Sequence, residues 1–341
     1  MLAKKCFFRL LILCVIPVIS STAQNNQNEI KGVVLSAKDS IPLIGVSVYF
    51  DGTSIGVSTD QKGRFELNFE AGINSPMVIS YVGYEPVIVD NYATYKGLVP
   101  VIYLHEKPEE LEAVYLEDDP WTRKKKLAVF RREFLGKTEA TIHCKIKNEE
   151  VLKLRYFPSS QTLIAYADSP LIIENKYLGY KVYYTLQEFE AEFITNLQGL
   201  RLTNRVYYEG VCFFNELRKK ASKKIIKNRN ISYLGSSLHF MRSLAAHNLE
   251  ENGFKIFYNS WQVPAYKYFE MKKTTDFTKV TLLVDQVSVL YQDFEQSEFM
   301  TKGSFFIDTF GNHSPPNVII FGGHISMSGV SELLPLDYGI H

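Results

Sequence analysis

Among the side chains of this sequence that could do chemistry, His247 and Glu250 come closest to a catalytic spacing. Imidazole and carboxylate groups three residues apart can ligate zinc, and His313 or His324 could supply a distant third ligand. The apolar pattern around His247 argues against this interpretation, because it predicts an amphipathic helix through this histidine. Only about 90 residues follow the pair, which leaves little chain for the rest of a hydrolytic site.

Other catalytic patterns are absent from the sequence. It lacks His-Glu-x-x-His, Gly-x-Ser-x-Gly, the P-loop and the glycine-rich dinucleotide fingerprint. A glycine and serine cluster around His324, Phe321–Gly329, is typical of a strand, a turn and a second strand. His143 and Cys144 are adjacent, so on a strand they point to opposite faces and cannot form a catalytic pair locally. We therefore expect a protein that is not an enzyme and needs no cofactor or metal.

The first 24 residues are typical of a cleaved secretory signal. A basic start precedes an apolar run over residues 10–19, and small residues follow at 21–23. The alternative is a membrane anchor, but the run is shorter than a spanning helix and Pro17 interrupts it. Cys6 and Cys14 lack the small preceding residue that lipid attachment needs. We expect export to the periplasm, the outer membrane or the cell surface.

Composition narrows the classes of partner. Cleavage would remove Lys4, Lys5 and Arg9 from the 38 basic residues that face 37 acidic ones, leaving a net charge near −2. This balance gives no general argument for nucleic acid. Two cysteines would remain, Cys144 and Cys212; an oxidising compartment would let them pair, although free buried thiols on strands are equally common. The length favours two domains.

Residues 28–106 have the pattern of a small antiparallel β-sandwich. Gly52, Gly63 and Gly83 fit turns that need a positive φ, and Asp60 is placed to accept hydrogen bonds from amides of its own turn. Calcium binding by Asp51 and Asp60 is the alternative, but this loop offers too few carboxylates. The predicted strands are Ile30–Leu35, Val46–Phe50, Arg64–Phe69, Met77–Tyr81, Glu85–Val89 and Val99–Leu104.

These residues carry a family resemblance. Gly32-Val-Val, Pro42-Leu-Ile-Gly-Val-Ser-Val, Gly63-Arg-Phe-Glu-Leu and Ser80-Tyr-Val-Gly-Tyr resemble the carboxypeptidase-regulatory-like domain, a transthyretin-like sandwich of Gram-negative envelope proteins. The resemblance implies an extracytoplasmic β-sandwich. In that family the domain follows zinc carboxypeptidases, or precedes TonB-dependent receptors and domains of unassigned function. Here the sandwich comes first, the reverse of the peptidase order, so the resemblance does not imply peptidase activity.

An acidic linker over residues 107–119 and an α+β domain over residues 120–341 are predicted next. Pro120 opens a helix through Leu135, which carries Leu127, Phe130 and Phe134 on one face and ends at Gly136. Its basic residues, Arg123–Lys126 with Arg131 and Arg132, could meet a phosphate or lipid headgroup, or could be a solvated face that pairs with the acidic linker.

Two further helices and ten strands complete this prediction. Arg218–Lys227 is basic and helical, and a helix opens at Ser236 or Ser237, carries Leu238, Met241, Ala245 and Leu249 on one face, and ends before Gly253. The predicted strands are Val151–Tyr156, Thr162–Ala167, Leu171–Glu174, Tyr180–Glu192, Arg205–Phe214, Lys255–Tyr258, Thr281–Leu283, Val287–Tyr291, Ser304–Ile307 and Val318–Phe321. Segments such as Tyr233–Leu244 resemble a group of proteins with the same sandwich in front, from which no catalytic residue can be transferred.

Three functions remain open. The first is a non-catalytic envelope protein that binds or scaffolds a protein partner through its sandwich, with peripheral association with the outer membrane as a further expectation. The second is a carbohydrate-binding accessory protein, in which Tyr81 and Trp261 would form the interaction surface. The third is a zinc-dependent hydrolase, which requires His247, Glu250 and another histidine to converge.

Overall fold

The computed structural model describes residues 27–70, 72–95, 98–108 and 117–340. The predicted signal and most of the predicted linker lie outside these residues. The helices are α1 (Arg123–Leu135), α2 (Glu139–Ile142), α3 (Lys223–Tyr233) and α4 (Ser237–Ala245), with short 3-10 turns at Tyr92–Tyr95, Glu149–Val151, Pro316–Val318, Ile325–Met327 and Val330–Glu332.

The strands fall into three groups along the chain. The first group is β1 (Gln27–Ser36), β2 (Ser47–Phe50), β3 (Gly56–Ser58), β4 (Arg64–Glu70), β5 (Met77–Ser80), β6 (Val87–Val89) and β7 (Val101–Leu104). The second is β8 (Cys144–Ile146), β9 (Leu152–Phe157), β10 (Thr162–Ala167), β11 (Leu171–Asn175), β12 (Tyr180–Thr195) and β13 (Arg201–Glu216). The third is β14 (Phe254–Tyr258), β15 (Trp261–Val263), β16 (Phe269–Lys273), β17 (Phe277–Leu282), β18 (Gln286–Tyr291), β19 (Glu295–Thr301), β20 (Phe305–Asp308), β21 (His313–Ser314) and β22 (Ile319–Gly323).

The first group forms the predicted β-sandwich. One sheet has the order β4-β1-β7 and the other β3-β2-β5-β6. Alternate residues of the strands are buried, as in β7, where Ile102 and Leu104 face the core and Val101 and Tyr103 face outward. The strand pairs of the sandwich are antiparallel, as predicted, except that β7 runs parallel to β1, because the chain returns to the first sheet from the second.

The second group builds one sheet in the order β8-β11-β12-β10-β9, with β13 paired to β12 over sixteen-residue strands. Helix α1 packs on this sheet through Phe130 and Phe134, which are fully buried among its aromatic residues. The helix begins at Arg123, capped by the hydroxyl of Thr122, rather than at Pro120. Gly136, with a φ of 100°, ends it as predicted.

The third group forms two sheets, β15-β14-β18-β19-β22 and β16-β17-β20-β21, around a core that includes Phe240 and Met241 of α4. The hydroxyl of Ser236 caps α4, in agreement with the sequence. Three predictions in this region were wrong. Helix α4 ends at Ala245 and does not continue to Leu249, so His247 lies beyond the helix with a φ of 59°. Helix α3 begins at Lys223, after its cap Ser222, and not at Arg218. The segment after Gly323 forms a 3-10 turn where a second strand is predicted.

The fold as a whole is mainly β with an α+β region, as the sequence predicts. Among the residues that the structure describes, no helix is long and apolar enough to cross a membrane. Cys144 and Cys212 are both buried free thiols, and burial raises the pKa of the Cys144 thiol to about 12.

The sandwich is joined to the second sheet by backbone hydrogen bonds. Gly52 donates its amide to the carbonyl of Cys212 at 2.8 Å, and Phe214 donates to the carbonyl of Thr53 at 3.1 Å. Tyr49 stacks on Phe213 with 4.9 Å between ring centroids. The β2–β3 turn thus extends the edge of β13, so the sandwich is held in a fixed position against the rest of the protein.

Candidate interaction surfaces

The outer edge of β7 is the first candidate surface. Strand β7 is the last strand of its sheet among the described residues. Its neighbour β1 bonds to alternate residues: Val33 donates to the carbonyl of Pro100 at 3.0 Å, and Ala37 donates to that of Leu104 at 2.8 Å. In a parallel pair this alternation turns the N–H and C=O groups of Val101 and Tyr103 away from β1, toward the open edge.

The side chains at this edge are apolar and exposed. Val101 and Tyr103 are 49% and 48% exposed, and Val99 just before the strand is 61% exposed. Isolated exposed apolar residues are common, but here they share one face of a strand whose outer edge is open at Val101 and Tyr103. The open edge ends at His105, whose carbonyl accepts the amide of Glu85 at 2.8 Å. An edge of this kind can accept an added strand from a partner.

A cleft beside Tyr81 is the second candidate surface. Gly83, with a φ of 85°, closes a turn in which Tyr84 donates its amide to the carbonyl of Tyr81 at 3.1 Å. The two tyrosine rings lie 5.4 Å apart and line a cleft of about 170 Å³ between the sandwich and the second sheet. Its polar lining residues are Lys107, Asp168, Ser169 and Gln187.

Trp261 lies in a different sheet from Tyr81. It follows the two-residue turn of the β14–β15 hairpin, where Asn259 and Ser260 both have positive φ, and its side chain is 77% exposed. The two aromatic residues that the sequence singled out therefore belong to separate surfaces.

The predicted turn residues have defined contacts. Asp60 accepts hydrogen bonds from the amides of Lys62 and Arg64, both at 2.8 Å, and these bonds hold the pKa of this exposed carboxyl below its ordinary value. Gly52 and Gly63 have φ values of 71° and 70°. Asp51 instead faces the second sheet and accepts the amide of Cys212 at 2.7 Å. Asp51 and Asp60 thus serve different hydrogen-bond networks.

The candidate zinc ligands have separate surroundings. His247 stacks on Tyr266 at 4.5 Å between ring centroids, whereas His324 lies 3.6 Å from Glu295. His313 lies in β21, where burial lowers its pKa to about 4. Within residues 27–340, as far as they are described, no three His, Cys, Asp or Glu side chains are grouped to hold a metal ion.

A cavity of about 230 Å³ lies next to His313, between α3, α4 and the C-terminal segment. Glu332 accepts the hydroxyls of Ser328 at 2.9 Å and Ser232 at 3.4 Å. These contacts join α3 to the C-terminal segment. Both serines donate directly to the carboxylate, with no imidazole between them, so the geometry is not that of a serine nucleophile activated by histidine.

Four of the six basic residues of α1 have acidic or carbonyl partners. Lys126 pairs with Asp119 at 2.5 Å, Arg131 pairs with Glu149, and Arg123 donates to the carbonyls of Leu152 and Glu149 at 2.9 Å. This favours the interpretation of a structural face over a headgroup site.

The sandwich identifies the class of domain at the start of this chain. Residues 30–116 match the family model described as CarboxypepD_reg-like domain, so the N-terminal region carries a domain of this family. A TonB-dependent receptor, P39, from Formosa agariphila is 35% identical over 85 residues, which is 24% of this chain and 8% of the receptor. The chain therefore spans less than a tenth of the receptor that it matches.

Among solved structures, a 9R-lipoxygenase from Cyanothece PCC8801 is 12% identical and aligns with 61% of this chain and 45% of that chain, at a TM-score of 0.19. A score this low carries no argument about fold or function. The family match therefore concerns the sandwich alone, and it assigns no function to the surfaces described above.

Two surfaces were missed at the level of sequence. The sequence predicts a strand at Val99–Leu104, but it does not predict that this strand lies at the edge of its sheet. The long hairpin of β12 and β13 was predicted to end at Glu192 and resume at Arg205, whereas the strands continue to Thr195 and from Arg201. The apolar residues between them, Ile194, Leu197, Leu200 and Leu202, were the available signal.

Proposed function

We propose that this protein is a non-catalytic envelope protein that binds an extended segment of a protein partner at the β7 edge. The observation that carries the proposal is the unpaired edge with exposed Val101 and Tyr103. A partner strand would bond to the main-chain groups that face away from β1, and its alternate side chains would cover the two exposed residues. The envelope location is supported by the receptor that shares this domain type.

The experiment is cross-linking in intact cells followed by mass spectrometry of proteins captured with the tagged mature chain. Val101→Lys places a charge on the edge and should lower capture of the partner at least tenfold, since inward or edge lysines oppose strand addition. Ile44→Lys is the matched control: Ile44 is 54% exposed in the same domain, near Leu43, whose amide bonds to the carbonyl of Val34. Equal capture by both variants would contradict the proposal.

Carbohydrate binding at the Tyr81 cleft is a second candidate. Two tyrosine rings and several hydrogen-bonding side chains converge there, the combination that recognises the apolar face and the hydroxyls of a sugar. Tyr81→Ala should then abolish binding on a glycan array, whereas Trp261→Ala, at the separate hairpin, should not. Loss of the protein partner in Val101→Lys with unchanged glycan binding would separate the two functions.

We also infer that the chain is exported to the cell envelope and associates peripherally with the outer membrane. The predicted signal over residues 1–24 supports export. The test is the N-terminal sequence of protein recovered from fractionated cells, which should begin close to residue 25 in the envelope fraction. Protein found in the cytoplasm with Met1 intact would contradict export.

A further inference from the structure

The end of the β12–β13 hairpin presents a cluster of exposed aliphatic side chains. We call residues 194–202 the hairpin tip. Its aliphatic residues are Ile194, Leu197, Leu200 and Leu202, which are 49%, 108%, 58% and 48% exposed. Leu197 is more exposed than in an extended reference peptide, and the four residues lie within nine positions of the sequence.

These side chains do not belong to the core. Phe193 pairs with Thr203 and is buried in the sheet, whereas Ile194 pairs with Leu202 on the opposite face. The neighbouring β9–β10 turn reaches as far as Thr195: the carbonyl of Gln161 accepts the amide of Phe193 at 2.9 Å, and its side chain accepts the hydroxyl of Thr195 at 2.8 Å. Beyond this level the hairpin projects away from its sheet.

Four backbone amides of the turn are bonded within the turn itself. The Asn196 side chain accepts the amides of Gln198 at 3.0 Å and Leu200 at 2.9 Å. The amide of Asn196 bonds to the carbonyl of Leu200 at 2.9 Å, and the amide of Gly199 to the carbonyl of Asn196 at 3.0 Å. Because bonded donors do not need water, these bonds lower the cost of placing the turn in a lipid environment.

Arg201 is the one charged residue of the hairpin tip, and residues 193–200 contain no Asp, Glu, Lys or Arg. The Arg201 guanidinium lies 5.1 Å from the centre of the Trp121 ring. Further along the strands, Arg205 pairs with Glu190 and Glu192 at 3.1 and 3.0 Å. An aliphatic end followed by a mixed band of charge fits the boundary between acyl chains and headgroups.

We propose that the hairpin tip inserts into the interface of a lipid bilayer and anchors the protein peripherally. The proposal rests on the envelope location inferred above. The mixed charge at the base favours a zwitterionic surface without requiring anionic lipid. The uncharged turn and its bonded amides favour lipid over a protein groove, in which polar contacts to the turn would be expected.

The test is flotation of the purified mature protein with phosphatidylcholine vesicles, and with vesicles that also contain phosphatidylglycerol. Leu197→Asn should lower the bound fraction at least tenfold. Leu283→Asn is the matched control, because Leu283 is 57% exposed elsewhere on the protein. Both substitutions are at exposed positions, so folding should be unchanged. A fluorophore on Gln198→Cys should be quenched by nitroxide lipids labelled near the headgroups.

The proposal would be overturned if the wild-type chain floated with neither type of vesicle, or if Leu197→Asn floated as well as wild type. It would also be overturned if the wild-type chain were a dimer and Leu197→Asn a monomer, because the tip would then be a contact between copies. Binding only to the anionic vesicles that disappears in ~1 M salt would also overturn it, since that result indicates charge attraction. Val101→Lys should float with vesicles as wild type does, and Leu197→Asn should still capture the protein partner. The proposals of lipid insertion and of partner binding can therefore fail independently of each other.

Discussion

Arg229 shows how one buried cation fixes an element to a sheet. Its guanidinium bonds to both carboxylate oxygens of Glu216 at 2.9 and 2.8 Å and to the carbonyl of Leu178 at 2.8 Å. It also lies 3.8 Å from the centre of the Tyr180 ring. Because α3 makes these contacts through one side chain, the planar geometry of arginine matters as much as its charge.

The first prediction is that Arg229→Lys destabilises the protein by about 2–4 kcal/mol, because an ammonium cannot make the paired contact with Glu216 and also bond to Leu178. Urea unfolding followed by circular dichroism measures this loss. Arg218→Lys is the control, an identical substitution at an exposed position of the same basic stretch. Equal midpoints for the two variants would show that Arg229 contributes only charge.

At the scale of single residues, the sequence predicts those conformations that depend only on neighbouring residues. Asp60 and Gly63 belong to a five-residue turn, and their types alone indicate its geometry. The role of Arg229 is not predictable from the sequence, because its partners Glu216 and Leu178 are 13 and 51 positions away. His247 was misplaced because apolar periodicity does not mark the end of a helix, whereas the positive φ at this residue does.

At the scale of elements, the long β12–β13 hairpin depends on a glycine. The register of the two strands shifts between Leu186 and Glu188, opposite Gly210. A Cβ at Gly210 would lie 2.2 Å from the carbonyl oxygen of Thr185 and 2.6 Å from the Tyr184 ring. The bulge brings the two backbones too close for any side chain at this position.

The second prediction is that Gly210→Ala destabilises the protein by about 2 kcal/mol or more, because one strand must move from its partner to admit the methyl group. Thermal unfolding should show the loss. Gly303→Ala is the control, since an added Cβ there meets no atom within 4 Å. An unchanged melting temperature for Gly210→Ala would mean that the register shift does not persist in solution.

The elements themselves were largely predictable, and their junctions were not. Alternation predicts most strands of the sandwich, and a capping serine predicts the start of α4. The contact between Thr53 and Phe213 joins residues 160 positions apart, and no residue near either of them in the sequence predicts this contact. For the same reason the hairpin tip was missed: its leucines are unremarkable until the strands are seen to project beyond the sheet.

At the scale of the whole molecule, two half-buried acids lie where the sandwich meets the rest. Asp51 accepts the amide of Cys212, and Asp308 accepts the amides of Phe310 and Asn312 at 2.8 and 2.9 Å. Phe310 enters the sandwich core, and Thr309 beside it donates to the carbonyl of Gly72 at 2.7 Å. Burial raises the pKa of each acid to about 6, against these hydrogen bonds, which lower it.

A raised pKa means that folding favours the protonated acid. The stabilisation from each group is complete below its ordinary pKa of 3.8 and is lost as the pH rises through about 6. Buried His239 and His313 act in the opposite direction, because burial lowers their pKa values to about 4 and their stabilisation is lost as the pH falls below 6.5. The wild-type free energy of unfolding should therefore change little between pH 5 and 7.

The third prediction separates these opposed contributions. Asp51→Asn with Asp308→Asn removes the acids and leaves both histidines, so the free energy of unfolding of the variant should rise relative to wild type by about 2–3 kcal/mol from pH 5 to pH 7. Urea unfolding at the two pH values measures the difference. Asp39→Asn is the control, because hydrogen bonds lower the pKa of this exposed acid and it titrates below the window. A variant that follows the wild-type profile would show that the acids are ionised and solvated at the junction, and that the other contacts, among them the stacking of Tyr49 on Phe213 and the burial of Phe310, hold the sandwich there.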